Sequence, residues 1–439
     1  MSKKCFEDMQ NRGFFYQITD EEAVVKLLNE TSTSFYMGFD PTADSLHVGH
    51  LLPVMAARRL QQFGHRPIML VGGATALVGD PSGRQEARPM LTIETVRRNS
   101  DAIKEQLSRF VDFNKTTFVN NADWFTKMYY LDFLRDIGPH FSVNKMLSMD
   151  SVKMRMETGI SFLELNYMIL QAYDFMYLNE KFGCEIQVGG QDQWGNIVTG
   201  VDLARRVNGK QLFGATLPLL MDSSGKKFGK SLGNAVWLDK NRTPIFDYYQ
   251  FWRNTDDADV AKLLFFFTYL PTEEIESLTK LQAPQINRAK EILAFEATML
   301  AHGFDEAKNA FIAAGSKFGF ADPQNTISTS SLIKDIRAAN STENLPTFEI
   351  TEDEVSSEAT SEQESSSSSS SGKWIVALLS ESGLCSSNGE ARRLIQGGGA
   401  YLNNNKISDV NYQLTIDDFS NGEAILKAGK KNIKRIIIK

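Results

Sequence analysis

The sequence predicts an α/β chain built on a doubly wound parallel sheet, followed by an all-helical stretch and a small α+β tail. Three observations predict it. Residues 35–52, FYMGFDPTADSLHVGHLL, pass from alternating apolar residues through a proline turn into helical spacing. PIMLV at 67–71 is a continuous apolar run, as in parallel strands covered on both faces. From residue 245 the strand signals give way to helix caps, until the composition changes again near residue 347.

Composition bounds the rest. A chain of 439 residues has room for about three domains, and 42% hydrophobic content is enough for a sizeable core. A net charge of −7 argues against a surface devoted throughout to nucleic acid, although the charge is unevenly spread. Cys5, Cys184 and Cys385 lie too far apart for a ligand or disulfide framework, which points to a reducing compartment. No run of about 18 apolar residues occurs, and MSKKCFEDMQNRG lacks a signal-peptide core. The expectation is a cytoplasmic protein without membrane contact.

In order, residues 1–33 read as polar and helical, with TDEEAVVKLLNE at 19–30 capped by Thr19 or Asp20. In the strand that follows, Phe35, Met37 and Phe39 take one face, while Tyr36, Gly38 and Asp40 present a phenol, bare backbone and a carboxylate. Pro41 ends the strand, and Thr42, Asp44 and Ser45 supply turn and cap chemistry. Helical spacing from Leu46 to about Gln62 puts His47 and His50 at i and i+3, where a helix N-terminus attracts anions. Such a turn alone is ordinary punctuation. Gly49, costly inside a helix, fits close approach to its backbone. With strand 67–71 this makes a right-handed βαβ unit, so the first half is Rossmann-like.

Three further stretches carry candidate chemistry. GGATALVGDPSGR holds Asp80 among glycines and ends in Arg84, with Arg88 beyond. Between Leu163 and Leu178, Tyr167, Gln171 and Asp174 share one helical face amid apolar neighbours, a buried polar stripe in need of partners. CEIQVGGQDQWGNI leads from strand residues, among them Gln187, into a glycine-rich loop with Asp192 and Gln193. Farther on, MDSSGKKFGKSLGN spaces Lys226, Lys227, Lys230 and Ser231 with Gly225, Gly229 and Gly233, a mobile cationic loop able to clamp a triphosphate. It is one residue short of a P-loop.

HVGH at 47–50 and KFGKS at 227–231, in that order, resemble the paired signatures of class I aminoacyl-tRNA synthetases, and FYMGFDPTADSLHVGH resembles the tyrosyl branch. The resemblance implies ligation of tyrosine to its tRNA with ATP. It implies that His47 and His50 meet the ATP phosphates, with Gly38, Asp40, Thr42 and Gly49 beside them and Asp192 on the ribose. Lys227, Lys230 and Ser231 would act as the catalytic loop, and Arg84 and Arg88 would meet pyrophosphate. Tyr36 and Asp174 would bind the phenol oxygen, Asp80, Tyr167 and Gln171 the amino group, and Gln187 and Gln193 the rest of the tyrosine site. No resident metal or tightly bound cofactor is implied. ATP, with Mg2+, L-tyrosine and tRNA(Tyr) are substrates of a homodimer that does not bind DNA.

The remaining chain fits the same frame. Residues 241–346 read as helical, with Thr243-Pro244 and Pro271-Thr272 as cap and first-turn proline and Gly303 ending a helix. They resemble the family's anticodon-side domain, after a catalytic domain over 1–240. Residues 347–372 hold seven acidic residues, the run Ser365–Ser371 and no Lys or Arg, and read as a flexible linker, a departure from the family. Residues 373–439 carry ten Lys or Arg against six Asp or Glu, with a Ser387/Glu390 capping box, a helix bearing Arg392 and Arg393, and two or three short strands. SSNGEARRLIQGGGAYLNNNKI resembles the S4 RNA-binding domain. Two rival readings stand beside this one: a ligase for another amino acid such as tryptophan, and a non-catalytic RNA-binding protein on a synthetase scaffold.

Overall fold

The computed structural model describes residues 4–83, 86, 88–231, 234–336, 347–355, 372–403, 405–420, 422–429 and 432–439. From the N-terminus, α1 (Cys5–Asn11), β1 (Gln17–Ile18) and α2 (Glu21–Glu30) lead into β2 (Ser34–Phe39), α3 (Val48–Gln62) and β3 (Arg66–Val71). There follow α4 (Thr75–Val78), α5 (Ile93–Leu107), β4 (Thr117–Asn120), α6 (Ala122–Phe125), α7 (Tyr130–Ile137), α8 (Val143–Ser148) and α9 (Asp150–Met156). Then come α10 (Phe162–Phe182), β5 (Cys184–Gly190), α11 (Trp194–Asn208), β6 (Phe213–Leu217), β7 (Lys230–Ser231) and β8 (Asn234–Ala235). Helices α12 (Ile245–Arg253), α13 (Val260–Phe267), α14 (Thr272–Thr279), α15 (Ile286–His302) and α16 (Phe304–Phe318) complete the helical stretch.

Among the described residues the main sheet has six strands in the order β1-β6-β5-β2-β3-β4, all parallel except β1 at the edge. The chain starts this sheet's parallel part at β2, moves out to β3 and β4, then returns to β5 and β6 on the other side. The order therefore reverses between β2 and β5, and a crevice opens outside the carboxyl ends of those strands. Phe35, Tyr36, Met37 and Phe39 are buried, as befits a central strand covered on both faces, whereas Gly38 between them is exposed. That one bare position faces the crevice end.

Several local expectations change. The N-terminal region expected to be helical contains β1, whose two residues are too few to show a period. Its register is set by pairing Gln17 with Thr216. The cap of α3 is His47 itself; Ser45 and the Leu46 amide are instead held by the buried Gln106 side chain. Pro244 and Pro271 occupy the N-cap positions of α12 and α14, one residue earlier than a first-turn proline. Asp20 does cap α2, and Gly303, at φ 90°, ends α15. Phe266 and Phe267 are core residues, and all three cysteines are buried free thiols.

The described residues form two compact units, one of residues 1–311 with 326–331 and one of 312–325 with 332–439. In the first, α13 packs on α3, so helices after residue 245 share a unit with the sheet. In the second, β9 (Thr347–Ile350), β10 (Lys373–Trp374), α17 (Ile375–Glu381), α18 (Asn388–Gln396), β11 (Ala400–Leu402), β12 (Asn405–Lys406), β13 (Gln413–Leu414), β14 (Glu423–Ala428) and β15 (Asn432–Ile438) enclose an apolar core. Residues 347–355, expected in the linker, form β9 and a following turn: β9 pairs in parallel with β15, and Ile350 and Val355 are buried in that core. Thr347, Phe348, Glu349 and Ile350 alternate, but four residues amid an acidic run are outweighed by composition. The run Ser365–Ser371 lies outside the described residues. Ser387 caps α18 by accepting from the Glu390 amide, but the Glu390 carboxylate turns back to Ser386, so the reciprocal box is not made.

Candidate active site

Four strand ends meet at the crevice. β2 leads into Asp40, β3 into Gly72, β4 into Asn121 and β5 into Gln191 and Asp192. Tyr36 on β2 stands in register beside Gln187 on β5, and both are buried. The Tyr36 ring lies 5.4 Å from that of Phe175 on α10. Two turns of that helix carry Tyr167, Gln171 and Asp174 inward, with Tyr167 and Asp174 buried and Gln171 half-buried. The stripe legible in the sequence is thus an interior one.

Each end of this stripe is held by a hydrogen-bond chain. The Asp174 carboxylate accepts from Asn121 Nδ2 at 3.0 Å and from Trp124 Nε1 at 2.9 Å. Asn121 Nδ2 also donates to Thr75 Oγ1 at 3.0 Å, which donates to Asp40 Oδ1 at 2.8 Å. Asp40 Oδ2 accepts from the Tyr167 hydroxyl at 2.8 Å. Asn121, Trp124 and Thr75 were not found from the sequence. The signal for them was slight: NNADW after an apolar strand puts amide and indole donors at a carboxyl edge, and a buried Trp N–H needs an acceptor. Gly72 is required here, since a Cβ on it would sit 2.1 Å from Asp40 Oδ1.

Three buried polar atoms close to this chain have no hydrogen-bond partner among the described residues: the Tyr36 hydroxyl and the Oε1 atoms of Gln171 and Gln187. Burial raises the Tyr36 pKa, and the nearby Asp174 charge raises it further. Asp174 is itself pushed up by burial, against the pull of its bonds from Asn121 and Trp124. A buried phenol, two amides and a carboxylate with open hydrogen-bonding capacity make a cradle for a ligand with polar groups at both ends.

Toward the other side of the crevice the residues are charged. Asp80 is buried; its carboxylate accepts from Gln193 Nε2 at 2.7 Å, and its carbonyl accepts from Arg88 Nε at 3.2 Å. Burial raises the Asp40 pKa from 3.8 to about 6, with the Asp80 charge adding to it and bonds from Thr75 and Tyr167 opposing. Asp192 is raised by burial and by Asp80, while Lys227 and Arg88 lie near enough to pull it back. Among the described residues no group of three or more His, Cys, Asp or Glu is placed to hold a metal ion.

The two histidines close the N-terminus of α3 with their own rings. His47 Nδ1 accepts from the Gly49 amide at 3.0 Å, and His50 Nδ1 accepts from the His47 amide at 3.2 Å. With each Nδ1 an acceptor, the proton of each neutral ring sits on Nε2, so both rings present an N–H donor. Burial, then His47 and Arg88, lower the His50 pKa to about 3. The place of Gly49 follows from the ring of His47, because a Cβ there would lie 2.8 Å from His47 Cε1.

The cationic loop reaches this helix end. Val48 N donates to Val236 O at 2.9 Å and Leu238 N to Leu46 O at 2.8 Å, and Val236 N donates to Gly229 O at 2.9 Å. A Cβ on Gly229, at φ +95°, would meet the Gly49 nitrogen at 3.1 Å. HVGH and KFGKS, 180 residues apart in sequence, are therefore neighbours. Lys227 is exposed, and Thr42 is exposed in the turn after Asp40. Arg84 and the side chains of Lys230 and Ser231 lie outside the described residues.

Comparison with known proteins gives the family. Residues 28–318 match the family described as tRNA synthetases class I (W and Y), and residues 342–436 match a tyrosine–tRNA ligase SYY-like C-terminal domain. The chain is 45% identical over 440 residues to the tyrosine–tRNA ligase of Clostridium tetani, covering all of both, and 46% identical over 442 residues to that of Desulfatibacillum aliphaticivorans, covering 100% of this chain and 99% of the relative. Among solved structures, a C-terminally truncated mitochondrial tyrosyl-tRNA synthetase from Aspergillus nidulans superposes with a TM-score of 0.64 at 33% identity, covering 71% of this chain and 93% of that one.

Proposed function

Since this chain belongs to the class I tRNA synthetases, in the tyrosine–tRNA ligase group, and so joins tyrosine to tRNA at the expense of ATP, we propose the following division of labour among its residues. Tyr36 and Asp174 read the substrate phenol. Asp80, Tyr167 and Gln171 hold the ammonium, with Asp40 joined to them through the Tyr167 hydroxyl, and Gln187 and Gln193 line the remainder. Asp192 takes the ribose of ATP. The Nε2–H donors of His47 and His50 face the phosphates together with Lys227, Lys230, Ser231, Arg84 and Arg88, while Gly38, Thr42 and Gly49 leave room for them. ATP enters with Mg2+ carried on its phosphates.

The tyrosine carboxylate then attacks the α-phosphorus and pyrophosphate leaves. A hydroxyl of the terminal tRNA ribose attacks the carbonyl carbon of the adenylate, and AMP departs. No side-chain nucleophile is needed; the chain supplies position and donors for charge that moves onto phosphate oxygens. Neutral His50 suits this role, because an N–H donor can bond a phosphate oxygen at any pH above its lowered pKa.

The observation that carries the tyrosine reading is the unpartnered, buried Tyr36 hydroxyl beside the buried Asp174 carboxylate. Without a phenol bound there, the Tyr36 hydroxyl stays unpaired, a cost of about 1–3 kcal/mol, while Asp174 keeps its bonds from Asn121 and Trp124 and has acceptor capacity to spare. Tyr36→Phe should raise KM for tyrosine in pyrophosphate exchange by about tenfold and narrow the preference for tyrosine over phenylalanine. An unchanged preference would remove the assignment. For assembly, the support is an exposed apolar group on and before α7: Tyr129, Tyr130, Leu131 and Leu134 are 80%, 61%, 74% and 47% exposed. Water leaves such a face in want of cover, and a second copy in a homodimer supplies it. A cytoplasmic setting is consistent with the buried free thiols.

A further inference from the structure

One aromatic residue outside the residues assigned above ties the cationic loop to the first histidine. Trp237, half-buried, follows the β7–β8 hairpin and forms an antiparallel bridge with His47. Its indole meets the His47 ring edge-on, with centroids 5.8 Å apart and planes at 70°, while His47 lies 3.9 Å from the His50 centroid. The indole is also covered by Arg242, whose guanidinium carbon is 4.7 Å from the ring centroid. Arg242 is in turn ion-paired with Asp44, in the turn before α3. The Trp237 amide donates to Thr243 Oγ1 at 2.9 Å, so its backbone is fixed as well.

We propose that Trp237 is a positioning residue for adenylate formation: held against both Arg242 and His47, it fixes the His47 ring and seats the 227–231 loop against the start of α3. The Gly49 amide and the indole both act on the His47 ring. Its Nδ1 is engaged by the Gly49 amide, which sets the direction of Nε2, and the indole edge blocks the ring from swinging away. Without the indole the ring loses that stop, and the donor would spread over more directions. Displacement of one reacting contact by about 1 Å can cost up to about a hundredfold in rate, so a modest loosening is measurable. The bridge, ring, cation and hydrogen-bond partners of Trp237 are His47, Arg242 and Thr243, none of them assigned to tyrosine binding, so the effect should fall on turnover and leave tyrosine affinity alone.

The inference rests on the placement of His47 at the ATP phosphates. The test is ATP–pyrophosphate exchange with the full chain, comparing Trp237→Leu, Trp237→Phe, Arg242→Gln, Asp44→Asn, the double variant Trp237→Leu/Arg242→Gln, and His47→Asn. Trp237→Leu should lower kcat about tenfold with KM for tyrosine within about twofold, and Trp237→Phe should recover most of the loss. Arg242→Gln should slow exchange alone yet add nothing on the Trp237→Leu background, since both act through one ring. Wild-type kcat for Trp237→Leu, a tyrosine KM that rises as kcat falls, or full additivity of the double variant would each overturn the clamp. Should Trp237→Leu fail to fold, Arg242→Gln and Asp44→Asn, whose side chains are 39% and 43% exposed, decide the matter, and wild-type rates in both overturn it. If His47→Asn also exchanges normally, the placement of His47 fails and the clamp with it; a slow His47→Asn beside a normal Trp237→Leu condemns the clamp alone.

Discussion

At the scale of single residues, the crevice works by holding charge where water is scarce. Asp40 is the clearest case. Burial favours its neutral form and lifts its pKa from 3.8 to about 6. For an acid shifted upward the sign is fixed: its contribution to folding is full below pH 3.8 and is lost as pH rises through about 6, where the fold must hold a buried charge. For activity the direction is the reverse, because the ammonium of tyrosine is drawn by the carboxylate and repels no neutral acid. In the free enzyme kcat/KM for tyrosine should therefore fall as pH drops through about 6, and Asp40→Asn should flatten that limb while lowering the plateau. His50, lowered to about 3, should add no inflection near 6.5, so an acid limb centred there in the Asp40→Asn variant would refute its assignment as a neutral donor.

At the scale of elements, α10 and α3 carry the site, and each is set by its N-terminus. Ser161 and Glu164 cap α10 reciprocally: Ser161 Oγ accepts from the Glu164 amide at 3.2 Å, and the Glu164 carboxylate accepts from the Ser161 amide at 3.1 Å. Arg155 adds a 2.8 Å ion pair to the same carboxylate, with both side chains at least nine-tenths buried. Ser161→Ala should lower unfolding free energy by about 1 kcal/mol, read as a shift of the first urea transition, and a variant as stable as the parent would show the cap to be redundant. In α3 the caps are His47 and His50, the residues proposed to meet the ATP phosphates. The periodicity of the sequence located both helices, since apolar spacing is local. The partner of a cap is local only when it lies within a few residues, which is why the Ser161–Glu164 and His47–His50 pairs are near in sequence while Gln106 beneath Leu46 could not be foreseen.

At the scale of the whole molecule, the synthetase match over residues 28–318 and the C-terminal-domain match over residues 342–436 fall in different parts of the chain. The second unit carries Arg392 and Arg393 exposed on α18, with Arg392 stacked over Trp374 at 5.2 Å. If this face meets a phosphate backbone, Arg393→Glu should weaken tRNA binding, lessen the salt dependence of log Kd by about one unit of slope, and leave tyrosine-dependent pyrophosphate exchange unaltered. Equal salt slopes for variant and parent would move the RNA contact elsewhere. Sedimentation of the full chain tests assembly: Leu131→Glu on α7 should shift a dimer toward monomer, and a parent that sediments as monomer would leave the apolar face to another partner.

The amino-acid order alone determined the sheet class, helices α2, α3 and α10, the two separated signature motifs and the inward polar stripe of Tyr167, Gln171 and Asp174. Each is written in residues close together, through spacing, turn chemistry or composition. Tertiary structure decided what those residues touch: Asn121 and Trp124 around Asp174, Thr75 between Asn121 and Asp40, β9 beside β15, and Trp237 against His47. Those pairings join residues far apart in the chain, and hydrogen-bond direction and ring contact depend on coordinates that no local pattern encodes.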